Sequence, residues 1–285
     1  MANAGSDSEL EHQYHAQAYV LDAEFEHPVR EKTGRKAQVD LPPDGTYQYQ
    51  PATPFQVFGV LSYRSGYAQV AGHKSPKGHG HVTLATSVVE DINVFDVVTA
   101  DRIVAQISTE HPHDGQVPRV TFLGTRFVNL RIGGHKVEVV QDLNVIGPKP
   151  PKDRSYLDDA GVISRMSEQH SNIRKTKNLP DWAREEFRKG KISKGGNEAS
   201  CSLVKNITGA PGIAFGHVID LPNFGRIYLA ELTLLREPAP NRNERDAYHF
   251  QLTMIRLEMG CLGTGKAKVA AMDTNGKGSG GGGGG

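Results

Sequence analysis

The sequence predicts an all-β protein, an antiparallel β-sandwich-like architecture interrupted by a short, partly helical insertion. Three observations predict it. From Val97 to Val140 the chain reads as strand, turn, strand, turn, strand. Within that stretch Val120, Phe122, Val128, Leu130 and Ile132 share one parity, and Thr121, Thr125, Asn129 and Arg131 share the other, the period of two of half-buried strands. A second β-rich block follows from Ser200 to Ala271, and strand signals stop between the two blocks, over residues 152–198.

Taken in order, Met1 to Glu11 is small, polar and acidic, without the basic and apolar regions of a secretory signal, and residues 1–14 are expected to form a disordered N-terminus. Residues 15–151 form the first β block. Its leading strand runs from His15 to Glu26, with Ala16, Ala18 and Val20 alternating with Gln17, Tyr19 and Leu21. Glu31 to Pro54 is polar and Pro-rich, with turn chemistry at Pro42-Pro43-Asp44-Gly45. Strands are expected at Phe55–Val70, at His81–Val89 and from Ile92 onward, where Gly133-Gly134 marks a tight hairpin turn. Gly147-Pro148-Lys149-Pro150-Pro151 closes the block.

In the insertion, Asp181 to Lys189 reads as a short helix entered through Pro180-Asp181 and stopped by Gly190, with Trp182 and Phe187 as apolar anchors. The rest of 152–198 is charged and poor in aliphatic residues, as expected of a surface connection or a partner-binding arm. Residues 199–273 are expected to complete the same domain with strands at Ile213–Ile219, Gly225–Leu235 and Ala247–Met259. In the last of these the apolar parity switches between Met254 and Ile255, which predicts a bulge or a strand buried on both faces. Residues 274–285 read as a flexible Gly-rich tail.

Composition removes several partners. Lys and Arg total 33 against 32 Asp and Glu, a formal charge of +1 that gives no global attraction to nucleic acid or to an anionic membrane. No apolar run approaches the ~20 residues of a membrane-spanning helix. Cys201 and Cys261 lack the spacing of a redox or zinc motif and read as two buried thiols, with one disulfide as the alternative.

The residues that carry chemistry are few. Gly260 to Lys266 matches the spacing of a phosphate-binding loop, but Ala267 replaces the Ser or Thr that would hold magnesium and no helix pattern follows, so the glycines read as a hairpin turn. Neighbouring acid pairs such as Glu90-Asp91 diverge on a strand and form a solvated face. No catalytic residue emerges. Histidine is more informative: His79-Gly80-His81 and His111-Pro112-His113 each place two imidazoles on one side of an extended strand. If the two loops met, His79, His81, His111 and His113 would form a metal site suited to Zn, which His73 could join. Exposed turn histidines are the alternative.

The ladder Val98 to Ala105, with Phe122-Leu123-Gly124 and Asn129 to Gly134, resembles the central strands of the bacterial choice-of-anchor surface proteins, the P-type group in particular. Ser202-Leu203-Val204, Ile219 to Ile227, and Phe250 to Leu257 running into Gly263-Thr264-Gly265 fit the same pattern, so the resemblance spans most of 15–273 apart from the insertion. It implies an extracellular or cell-surface all-β module without a known reaction. A visible signal peptide and anchor, part of that pattern, are missing.

Three functions are therefore expected in order. The first is a non-catalytic structural or interaction module that binds a protein partner or itself, since unpaired edge strands invite strand addition. The second is a carbohydrate-binding module whose glycan platform would use Tyr47, Tyr49, Tyr63 and Tyr67. The third is a metal-dependent enzyme built on the two His-x-His pairs.

Overall fold

The architecture was established from a computed structural model, which describes residues 12–57, 59–76, 80–112, 117–188, 192–238, 246–260 and 263–275. It is the expected antiparallel β-sandwich. Among the described residues one sheet has nine strands and the other ten, and a separate pair joins Glu138–Gln141 to Val204–Thr208.

The nine-stranded sheet is built on Gly225–Glu237, Ala247–Met259, Gly265–Asn275 and Ala16–Phe25, adjacent in that order. The first and last described strands thus close against each other, with Gln17 opposite Asp273 and Leu21 opposite Val269. The ten-stranded sheet is built on Thr46–Ala52, Ser65–Lys74, His81–Val94 and Val98–His111. The expected ladder after Val97 is one long strand, Val98–His111, paired in succession with Arg119–Thr121, Arg126–Val128 and Arg131–Ile132. Gly133 and Gly134 both take positive φ and close the hairpin from Ile132 to His135, as their sequence signals.

Apolar side chains from the two inner faces form one core, including Val20, Leu21, Val89, Ile103, Ile107, Leu232, Leu252 and Met272. The parity switch at Met254 and Ile255 is present and is shared across the sheet. Both members of Val20/Leu21, Met254/Ile255 and Val269/Ala270 are buried, and Ala230 and Ala270 take left-handed φ of 49° and 50° on either side of Met254. Pairing runs from Leu229↔Ile255 to Glu231↔Thr253 without a change of register, so this is a row of backbone kinks rather than an inserted residue.

Several expectations are corrected. The Phe55–Val70 strand is three pieces, Phe55–Val57, Leu61–Tyr63 and Ser65–Lys74. Ile213–Ile219 is a hairpin, Ile213–Phe215 with Val218–Leu221. Residues 12–14 are not a disordered terminus, because Tyr14 is buried under the ten-stranded sheet. Strand pairing also reaches Asn275, past the expected start of the tail.

Among the described residues the insertion holds two α-helices, α1 (Ala160–Arg174) and α2 (Asp181–Glu186). The second falls where the sequence predicts it. Asp159 caps α1 by accepting from the Val162 amide, and Val162, Met166, His170 and Ile173 bury one stripe. The end of α1 and α2 cover the outer face of the nine-stranded sheet, where Ile173, Ala183 and Phe187 pack with Phe215, Val218 and Tyr228. Gly190, the expected stop, and Cys261 lie outside the described residues.

Candidate functional site

Thr46–Ala52 forms an outer strand of the ten-stranded sheet, paired through Ser65–Lys74 alone. Its sequence, Thr-Tyr-Gln-Tyr-Gln-Pro-Ala, carries no charge, and every residue but Ala52 is exposed. The strands that end the two sheet paths, Glu31–Lys32, Phe55–Val57, His135–Lys136 and Ile213–Phe215, are only two or three residues long. Short or charged edges discourage strand addition, and this edge is neither.

The outer face beside that edge is aromatic and amide-rich. Tyr47 and Tyr49 are 59% and 47% exposed, and the Tyr49 ring lies 5.6 Å from Tyr67 at an interplanar angle of 33°. The Tyr47 hydroxyl donates to Gln69 Oε1 at 3.3 Å, and Gln106 Nε2 donates to Thr86 Oγ1 at 3.1 Å. Tyr63, expected in the same platform, is 4% exposed and packs against Phe55 in the core.

The predicted metal quartet is placed in part. His81 and His111 stand directly opposite each other on paired strands, whereas His79 and His113 lie outside the described residues. His73 sits opposite Val82 and is exposed. Sequence reasoning missed His12 and Tyr14. The His12 ring stacks on His81 at 4.2 Å and 17°, and its centroid lies 5.0 Å from that of His111. Tyr14 Oη is 2.9 Å from His81 Nδ1. Burial, followed by the neighbouring His111 and His81, pushes the His12 pKa down to about 3. Imidazole lone pairs lie in the ring plane, so face-to-face stacking turns the nitrogens of His12 and His81 away from a shared point. The described part of the cluster packs as rings.

A third group of polar residues lies under the insertion. A cavity of about 220 Å³ is lined by His170, Glu186, His217, Glu231, Thr253 and Arg256, among others. Arg256 donates to Glu231 through Nε at 2.6 Å and Nη2 at 2.8 Å, and through Nη1 to Glu258. Its guanidinium stacks on the Tyr228 ring at 3.5 Å, and the Tyr228 hydroxyl donates to Glu186 at 3.0 Å. Burial alone would push the Glu231 carboxyl up, but hydrogen bonds from Arg256 and His217 and their charge outweigh it, holding the pKa at about 2. Burial, with Asp142 nearby, pushes the Cys201 thiol up to about 12 and keeps it protonated. The ionic groups are matched to one another, and Glu186 together with Trp182, over which Arg226 sits at 3.7 Å, ties α2 to the sheet. These contacts dock the insertion on the sheet.

No helix among the described residues is long and apolar enough to cross a membrane. No curated protein and no solved structure matches this chain. A family model does match, over residues 12–235, most of the chain, including the whole of the ten-stranded sheet and the insertion. The chain therefore belongs to the family described as a domain of unknown function, DUF8256.

Proposed function

We propose that the protein is a non-catalytic interaction module that associates with a second copy of itself by strand addition along Thr46–Ala52. The observation that carries this reading is the contrast between that long, uncharged, exposed edge and the two- and three-residue strands that end the sheet paths. Backbone groups left unpaired on such an edge are satisfied by an added strand, and alternating side chains fix its register. Sedimentation over a wide concentration range tests it. The expected result is a reversible dimer that Gln48→Lys with Gln50→Lys weakens at least tenfold, because like charges then face each other across the new ladder. A chain that stays monomeric at millimolar concentration, or a dimer indifferent to the two lysines, overturns the reading.

The tyrosine face favours a second reading, a glycan platform, because rings exposed beside amide and hydroxyl groups match the apolar faces and hydroxyls of sugars. The two readings separate cleanly. Glycan binding would be lost in Tyr49→Ala and kept in the lysine pair, whose side chains lie on the opposite face.

A further inference from the structure

We propose that His15, His249 and Asp273 form a binding site for a divalent transition metal ion on the outer face of the nine-stranded sheet. This is a different set of residues from the His-x-His pairs, and it is the group among the described residues whose ligand atoms converge. One ligand atom from each of the three lies within 4.8 Å of the others. The strand pairing creates the site: Gln17 and Gln251 both face Asp273, which puts His15 and His249 diagonally beside that carboxylate.

The ring geometry suits coordination where that of the His12 cluster does not. His15 and His249 meet edge to face, with centroids 5.8 Å apart and planes at 83°, an arrangement in which two in-plane lone pairs can point at one ion. His249 Nδ1 lies 3.3 Å from Asp273 Oδ1, a separation compatible with two ligands of a tetrahedral ion. Both ring nitrogens of His249 face a carboxylate, so an ion entering the site takes the place of the proton on Nδ1. His249 Nε2 lies 3.3 Å from Glu237 Oε2, which favours the proton on Nε2 and leaves Nδ1 as the donor atom. Asp273 Oδ2 accepts from Gln251 Nε2 at 2.9 Å, which fixes the carboxylate and leaves Oδ1 turned to the site. His15 is exposed, so the ion has an entry path and solvent supplies the remaining position. Two imidazoles and one carboxylate suit Zn²⁺, Co²⁺, Ni²⁺ or Cu²⁺ rather than Mg²⁺ or Ca²⁺.

The competing arrangement is an ion-paired imidazolium: His249 clamped between Asp273 and Glu237 with no metal at all. Calorimetric titration of the metal-stripped full chain with Zn²⁺, in two buffers of different ionisation enthalpy, separates the two. A site is expected that releases protons on binding, and Co²⁺ at the same site should give the visible absorption of a tetrahedral complex. His15→Ala removes an exposed side chain and is the variant least able to disturb the fold. It should weaken Zn²⁺ binding at least tenfold, as should Asp273→Asn, while Glu237→Gln should weaken it about tenfold by removing the carboxylate charge beside Nε2. A His81→Gln, His111→Gln double variant should leave this site intact and so separate it from the other histidines. Zn²⁺ isotherms that match in wild type and His15→Ala, or an absence of binding heat in wild type, would overturn the assignment.

Discussion

Replacing Glu231 by glutamine should remove a block of stability that depends on pH in a calculable way. The substitution keeps the shape of the side chain and deletes the charge that faces Arg256 at 2.6 and 2.8 Å. Glu231 titrates at about 2 in the folded chain against an ordinary value of 4.5. At about 1.4 kcal/mol per unit, that difference corresponds to roughly 3 kcal/mol of folding free energy. The folded value is the lower one, so this stability is complete above about pH 4.5 and is lost as pH falls towards 2. By pH 3 about three fifths of it is gone. Urea unfolding followed by circular dichroism at pH 7, 5, 4 and 3 should therefore show wild type about 3 kcal/mol above Glu231→Gln at neutral pH, with the gap narrowing to about 1.4 kcal/mol at pH 3. Arg256 keeps Glu258 and Glu186 as partners in the variant, so a larger loss from a stranded buried cation is not expected. A gap that stays constant from pH 7 to 3, or no gap at pH 7, would show that the Glu231 carboxylate is not held by this pairing.

Three further outcomes follow from the packing. In a Cys261→Ser background, Cys201 should resist thiol reagents at pH 8 in the native state and react at once in urea, because burial lifts its pKa to about 12; rapid native labelling contradicts this. Gly216 has φ +59° and a Cβ there would sit 2.5 Å from Ile173, so Gly216→Ala should cost about 2 kcal/mol or more and speed proteolysis between α1 and α2. Ala230, buried with φ 49°, should tolerate glycine within about 0.5 kcal/mol, since relief of the left-handed backbone offsets the added chain entropy, whereas Ala230→Val should cost at least ~2 kcal/mol in thermal melts.

The sandwich itself was legible because its inner faces alternate, and what escaped did so for identifiable reasons. The Thr46–Ala52 strand has polar or aromatic side chains on both faces and no apolar row, so its period was invisible. Helix α1 was missed because its buried stripe contains a histidine, His170, between Met166 and Ile173 and is otherwise thin. The meeting of His81 and His111 could have been counted from the sequence: Phe95 and Asp96, both at positive φ, sit in the turn between the two long strands, which are in register from Val94↔Val98 outward. No such count reaches His12 or His15. His15 arrives because Ala16–Phe25 pairs with Gly265–Asn275, and His12 because the same strand packs against His81–Val94 of the other sheet, contacts between distant parts of the chain that local pattern does not specify.

That closure also bears on how the family boundary is to be understood. The match ends at residue 235, yet Ala16–Phe25 connects to Gly225–Glu237 only through Ala247–Met259 and Gly265–Asn275. Without those two strands Leu21 would lose Val269, Leu232 would lose Leu252, and Arg256 would leave Glu231 without its principal partner under the insertion. His249 and Asp273 lie on the same two strands. The core, the docking of α2 and the proposed metal site therefore all depend on residues beyond the matched segment.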